Sequence, residues 1–195
     1  AGGGYSFVSL ARKTARAGLT GLQFASGIPG TVGGAVFMNA GAHGSDVSKT
    51  LVSAEVMLET GECVTLLAQD LKFRYRTTVL QEELRGIVTE ATFQLERDDS
   101  KEILLDVKAI KDRRRRTQPL QHLCAGSVFR NPEGDYAGNL IEQAGLKGFR
   151  VGDAEVSTLH ANFIINRGKA TAHDVLSLIS KVQKIVKHKF GVDLH

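Results

Sequence analysis

The chain has 195 residues, enough for one large domain or two small ones with a real core. Its 42% hydrophobic and 24% charged content is that of an ordinary soluble protein, and no apolar run approaches the roughly 20 residues that span a bilayer. The net charge of +4 suits an anionic ligand without demanding nucleic acid. The opening Ala1-Gly2-Gly3-Gly4-Tyr5 carries no basic n-region, no signal h-region and no initiator Met, so a fragment or processed product is expected. Cys63 and Cys124 are far apart and form no C-x-x-C. A zinc site is therefore not expected, and two free thiols in a reducing cytoplasm are.

Phe7, Leu10, Ala11, Thr14 and Ala17 recur at helical spacing and Gly18 supplies a stop, which predicts a short amphipathic helix. Residues 19–24 lead into the glycine-rich stretch 27–35, Gly-Ile-Pro-Gly-Thr-Val-Gly-Gly-Ala. Glycine lets the backbone take positive φ or approach a ligand closely. Two readings stay open for this stretch: a backbone cradle for a phosphate or pyrophosphate, or a tight turn packed on a sheet. It is neither G-x-G-x-x-G nor a Walker loop.

Residues 52–58, the turn Thr60-Gly61-Glu62 and residues 63–67 predict a β-hairpin. Residues 87–95 predict another strand. Between them, the basic and aromatic segment 70–78 is expected to be a connection. Residues 101–116 predict a helix ended before Pro119. Its last turn carries Arg113, Arg114, Arg115 and Arg116, either a solvated helix end favoured by the helix dipole or a docking patch for phosphates. Composition shifts over 117–123, which we take as a boundary between a domain of residues 1–116 and one of 117–195. Residues 137–144 predict a helix closed by Gly145, and 163–165 a short buried strand. Thr171 and Asp174 form a capping-box pattern ahead of an apolar stripe from Val175 to Phe190. Hairpins and helices mix without βαβ alternation, so the expected fold class is α+β.

Three residues have side chains suited to chemistry. Ser127, in Ala-Gly-Ser-Val-Phe, does not sit in a hydrolase elbow; it is either a structural turn serine or a donor of a proton or hydrogen bond. Arg76, after Phe73-x-Tyr75, is either a surface arginine or a bidentate grip on a carboxylate or diphosphate. His160, beside the strand near residue 164, is more simply a satisfied structural residue. No metal cluster is visible.

Several motifs in order resemble one family. Residues 21–24 and 27–35, then Met38-Asn39-Ala40-Gly41-Ala42, are followed by Phe73-Arg74-Tyr75-Arg76 and Gly126-Ser127-Val128-Phe129-Arg130-Asn131-Pro132. Leu140-Ile141-Glu142-Gln143-Ala144-Gly145-Leu146-Lys147-Gly148, His160-Ala161-Asn162-Phe163, Asn166 and Phe190-Gly191-Val192-Asp193-Leu194 continue the likeness. The whole resembles the UDP-N-acetylenolpyruvoylglucosamine reductases (MurB), flavoenzymes of bacterial peptidoglycan precursor synthesis. The resemblance implies the second part of an FAD-binding (PCMH-type) domain, followed by a smaller α+β substrate-binding domain. It implies FAD and NADPH as cofactors and an enolpyruvyl ether of a UDP-sugar as substrate, with no nucleic acid, no membrane, a monomer and a cytoplasmic location. It assigns Gly27, Ile28, Pro29, Gly30, Thr31, Gly33, Gly34 and Ala35 to the FAD diphosphate. Ser127 becomes the proton donor, Arg76 the group that polarises the substrate carboxylate, and Tyr75, Arg76, Asn131 and His160 substrate contacts. It also implies that an N-terminal flavin-binding portion and a glutamate just beyond Leu194 are missing here. Two rivals are kept: another flavin oxidoreductase of the same wider fold, disfavoured by the serine and arginine motifs, and a non-catalytic anion-binding module built on residues 113–116.

Overall fold

A computed structural model describes all 195 residues. The elements in chain order are α1 (Phe7–Arg16), β1 (Leu19–Thr20), a 3-10 turn (Gln23–Gly27), α2 (Val32–Phe37), β2 (Gly41–Ala42), β3 (Ser45–Asp46), a second 3-10 turn (Val47–Lys49), β4 (Leu51–Leu58), β5 (Cys63–Leu67), α3 (Val79–Glu82), β6 (Gly86–Phe93), β7 (Glu96–Arg97), α4 (Ser100–Thr117), β8 (Leu123–Ser127), α5 (Ala137–Gln143), β9 (Arg150–Val151), β10 (Ala154–Val156), β11 (Phe163–Asn166) and α6 (Ala172–Phe190). The fold class is α+β with antiparallel pairing throughout. The chain divides into two compact units, Ala1–Arg113 and Arg114–His195, the division falling within α4.

In the first unit β4 is the centre of a β5-β4-β6 sheet. The expected hairpin forms, with Met57 opposite Cys63 and Ser53 opposite Leu67. Val56, Ala54 and Leu51 turn inward to a core shared with Phe7, Leu22, Val32, Val36 and Val47. Helix α1 presents Phe7 and Ala11 to that core and Ala15 to a small separate cluster with Ile103 and Val107 of α4, and is capped by Ser6, whose Oγ accepts the Ser9 N–H. Phe7 and Phe24 meet edge-on at 5.9 Å. Burying an aromatic ring of this kind stabilises by about 2–3 kcal/mol.

In the second unit a four-stranded sheet runs β8-β11-β10-β9. Helix α6 follows it, with the capping box of Thr171 and Asp174 formed and Gly191 at φ 72° ending it. Leu178, Val182 and Val186 of α6 pack with Ile141, Val156 and Ile164 into the second core. Alternation along the strands places Phe163, Ile165, Arg167, Glu155 and Ser157 on the other sheet face. The carboxyl pKa of Asp174 is lowered, first because the Thr171 backbone N–H donates to it. Cys63 and Cys124 are free and exposed. No helix is long and apolar enough to cross a membrane.

Candidate active site

The glycine stretch is built from three pieces: the end of the first 3-10 turn, a loop, and the start of α2. Thr31 is the N-cap of α2, its Oγ1 accepting the Gly34 N–H at 3.1 Å. Gly33 must be glycine, because a Cβ there would lie 2.9 Å from the Val88 carbonyl oxygen. Much of the stretch is satisfied internally. Ile28 donates to Ala25 O, Val32 to Tyr5 O, Gly33 to Gly3 O and Ala35 to Thr31 O. The exposed Gly30 and Thr31 are left to offer their N–H groups outward. Gly30 stands at φ 146°, which favours glycine, with nothing within 4 Å of where a Cβ would sit. Just before the loop, the hydroxyl of Ser26 is buried with no hydrogen-bond partner. Two open amides, an unobstructed glycine and an orphaned buried hydroxyl fit a phosphate-bearing cofactor. Gly27, Val32 and Ala35, by contrast, are buried.

Arg76 belongs to a tight turn in which Arg74 and Thr77 exchange backbone hydrogen bonds at 3.0 and 3.1 Å. Its φ is 56°, uncommon for a residue with a side chain. Its Nη1 donates to the Asn39 carbonyl at 3.2 Å and its Nη2 to the Gly41 carbonyl. The guanidinium lies 5.0 Å from the centroid of the exposed Tyr75 ring. Asn39 itself is 3% exposed and sits at φ 41°, a conformation asparagine tolerates. Its Nδ2 donates to Arg74 O at 3.1 Å and its Oδ1 accepts the Ser48 N–H at 3.2 Å. Gln81 adds a bond from Nε2 to Arg76 O. Arg76 is therefore aimed by backbone carbonyls rather than by a carboxylate, an arrangement that keeps its charge for an anion.

Ser127 is the last residue of β8, opposite Phe163, and is exposed. Asn131 folds back so that its Oδ1 accepts the Ala137 N–H at 3.1 Å, supplying α5 with a bond that its N-cap Tyr136 does not. His160 is half-buried, 4.8 Å from the Phe163 ring centroid. Its Nδ1 accepts the Asn162 N–H at 3.2 Å, which puts the ring proton on Nε2. Burial first, then Lys147, lowers its pKa, so the ring is neutral near pH 7. The structural role expected for His160 is present, and Nε2–H remains as a donor.

Within the second unit a cavity of about 460 Å³ is lined by Arg115, Gln118, His122, Ser157, Leu159 and Arg167, among others. Arg167 is fixed there by Glu155, with Nε to Oε2 at 2.9 Å and Nη2 to Oε1 at 2.6 Å. Glu155 is only 4% exposed. Its carboxyl is held below the usual range by the Arg167 hydrogen bonds, against the opposing effect of burial. Asn39, Glu155, Arg167 and Asn162 carry this framework, and sequence reasoning gave none of them a role. The bonds from Asn39 to Arg74, from Arg167 to Glu155 and from Asn162 to Phe129 span 12 to 35 residues of sequence, beyond any local pattern. The first unit has a cavity of about 630 Å³, lined chiefly by Phe37, Met57, Leu58, Leu80 and Ile87, which contains none of the expected site residues. No group of three or more His, Cys, Asp or Glu is placed to hold a metal.

Comparisons with known proteins agree along the chain. Residues 1–67 match the FAD binding domain family, and residues 118–195 match the family described as UDP-N-acetylenolpyruvoylglucosamine reductase, C-terminal domain. The chain is 53% identical over 194 residues to the UDP-N-acetylenolpyruvoylglucosamine reductase of Bacillus pumilus, and 51% identical to that of Bacillus subtilis. In both cases all of this chain is covered, and the chain spans 64% of the relative's length. The crystal structure of UDP-N-acetylenolpyruvylglucosamine reductase (MurB) from Thermus caldophilus superposes with a TM-score of 0.86 at 39% identity, over 98% of this chain and 69% of that one.

Proposed function

The chain belongs to the UDP-N-acetylenolpyruvoylglucosamine reductase family, and on that premise we propose that it forms the larger part of an FAD-dependent, NADPH-driven reductase. The substrate is the enolpyruvyl ether of UDP-N-acetylglucosamine and the product UDP-N-acetylmuramate, a step of peptidoglycan precursor synthesis in the bacterial cytoplasm, carried out by a monomer. The observation that carries this reading is the succession of the two family matches, FAD binding over 1–67 and reductase C-terminal domain over 118–195, in one chain. We assign residues 1–116 to a domain that chiefly binds FAD, with Tyr75, Arg76 and Arg115 turned to substrate, and residues 117–195 to the substrate-binding domain.

Bound FAD, once reduced by NADPH, would supply hydride chemistry to the enolpyruvyl double bond. Gly30 and Thr31 N–H, with Ser26 Oγ, would hold its diphosphate, and the remaining residues of the stretch 27–35 shape that loop. Arg76 stabilises the negative charge that develops on the substrate carboxylate and the adjacent carbon. Such a fixed donor acts most strongly where water is excluded. Ser127 Oγ–H delivers a proton to that carbon, completing addition of hydride and proton across the double bond. His160 Nε2–H, Asn131 and Tyr75 are assigned to substrate contacts. The cations Arg115 and Arg167 give the second-unit cavity the chemistry to hold a sugar diphosphate.

In the full-length protein Ser127→Ala is expected to leave reduction of FAD by NADPH within about twofold. Reoxidation by the enolpyruvyl sugar should fall by about 100- to 10,000-fold, the scale of lost general acid catalysis. Rapid mixing of each half-reaction is the measurement, and equal losses in both would remove Ser127 from the proton transfer. No FAD bound by the full-length protein would remove the reading altogether.

A further inference from the structure

Ser127 has no anchored side chain of its own, so its position must come from its neighbours. On its N-terminal side it is fixed by the β8 ladder, where it faces Phe163. That ladder is irregular, with a register shift between Phe163 and Ile165. On its C-terminal side regular strand pairing stops, yet the next two residues are still held. Val128 N–H donates to the Asn162 carbonyl at 2.9 Å. Phe129 N–H then donates to Asn162 Oδ1 at 2.9 Å, and Asn162 Nδ2 donates back to Phe129 O at 2.8 Å. The side-chain amide stands in for a missing strand residue, offering one donor and one acceptor to the backbone N–H and C=O of a single residue.

This clamp is buried. Asn162 is 4% exposed and Phe129 5%, and both bonds lie inside the protein. A buried amide left with either group unmatched loses its hydration without compensation, so the exchange with Phe129 is strongly specified. The residue chemistry is narrow. Aspartate is isosteric but has no donor for Phe129 O, and glutamine places its amide about 1.5 Å further out along an added carbon.

Asn162 is itself preset by the turn before it. Ser157 Oγ, 1% exposed, accepts the Leu159 and His160 N–H groups at 3.2 and 3.3 Å. Ser157 N–H donates to Phe163 O at 2.8 Å, closing the turn, and His160 Nδ1 accepts the Asn162 N–H. The whole turn thus serves as a mount for one amide that faces the residues immediately after Ser127.

We propose that Asn162 is a positioning residue for Ser127: by bonding both the N–H and the C=O of Phe129 it sets where the Ser127 hydroxyl stands for proton delivery. The inference rests on the proposed role of Ser127. It gives Asn162 no contact with substrate, so its loss must act through geometry alone. Misplacing a reacting group by about 1 Å can cost about 100-fold in rate.

The test compares Asn162→Asp with wild type in the full-length protein. Rapid mixing follows reduction by NADPH and reoxidation by the enolpyruvyl ether of UDP-N-acetylglucosamine separately. Reoxidation is expected to slow by about 10- to 100-fold, with reduction by NADPH unchanged within about twofold. If the aspartate variant does not fold, Asn162→Ser, which buries no charge, takes its place. Amide hydrogen exchange gives a readout independent of turnover. Phe129 should exchange at least about tenfold faster, while Leu178 and Val182 in α6 stay protected. Equal losses in both half-reactions, no loss in either, or unchanged exchange at Phe129 would each overturn the inference. A wild-type protein that binds FAD but never reduces the sugar would instead overturn the reading on which it rests.

Discussion

In residues 1–113 the guanidinium of Arg76 is bonded to the Asn39 and Gly41 carbonyls, while in residues 114–195 the hydroxyl of Ser127 stands exposed at the end of β8. Both segments are held by a buried asparagine, Asn39 through Arg74 O and Asn162 through Phe129. The difference lies in what is fixed. For Arg76 the side chain itself belongs to the scaffold, and its φ of 56° shows that the fold imposes its backbone too. For Ser127 only the main chain is fixed. A stabilising charge works best when preorganised, whereas a proton donor must keep its hydroxyl available to the carbon that receives the proton. The two arrangements suit those two tasks.

Substitution of Arg76 breaks this comparison most directly. Arg76→Ala should lower the rate of substrate reduction by about 100- to 1,000-fold, as for loss of one preorganised charge-stabilising donor. It should also lower the thermal midpoint, because two backbone carbonyls lose their donors. Ser127→Ala, at an exposed hydroxyl, should leave the midpoint unchanged. Arg76→Lys should recover charge without the paired carbonyl bonds, and so restore only part of either loss. Calorimetry beside single-turnover kinetics reads both. An Arg76→Ala protein with a wild-type midpoint would show that the guanidinium is not part of the scaffold.

The same elements show how far a sequence reaches. The capping box at Thr171 and Asp174 and the hairpin of β4 and β5 are local patterns, and each formed as expected. Helix α2 was not legible. Its Val-Gly-Gly-Ala start is poor helix sequence, since each glycine costs about 1 kcal/mol relative to alanine. The helix exists because Gly33 lets it approach the Val88 and Gly3 backbones, a contact with no local signature. Strands β9 and β10 were missed for the same reason. They have two and three residues and are defined by their partners rather than by alternation. At the candidate site the residue types were readable, but their states were not. Nothing near Arg76 announced the carbonyl of Asn39, and nothing near Ser127 announced the amide of Asn162.

Arg167 extends the comparison into the second unit, because it is an anchored arginine held by a carboxylate rather than by carbonyls. Carbonyls do not titrate and Glu155 does. Its carboxyl pKa is depressed by Arg167, so the stabilisation is fully present above the unfolded value of about 4.3 and is lost as pH falls through the folded value. Glu155→Gln should cost about 2 kcal/mol at pH 7, moderated because the Arg167 side chain is 36% exposed. It should also remove this part of the acid sensitivity, leaving Arg76 unaffected. Chemical denaturation of both proteins between pH 7 and about 3 checks this, and parallel curves would mean that the pair contributes no linkage.

The smallest effect is expected in the arginine run, where neighbouring residues have different surroundings. Successive residues on a helix are separated by about 100°, so four arginines cannot share one face. Arg114 is half-buried, donates from Nε to Gln118 Oε1 at 3.0 Å, and has its pKa lowered by burial. Arg115 lines the cavity that also contains Arg167. Arg113 is exposed and lines neither cavity. Arg113→Ala should therefore leave KM for the UDP-sugar unchanged. Arg115→Ala should raise that KM several-fold without changing kcat, the signature of lost uniform binding. If the two variants instead raise KM equally, and added salt abolishes both effects, the run acts as a diffuse cationic field. The cavity would then lose its claim to the diphosphate, and anchored arginines would matter in the first unit alone.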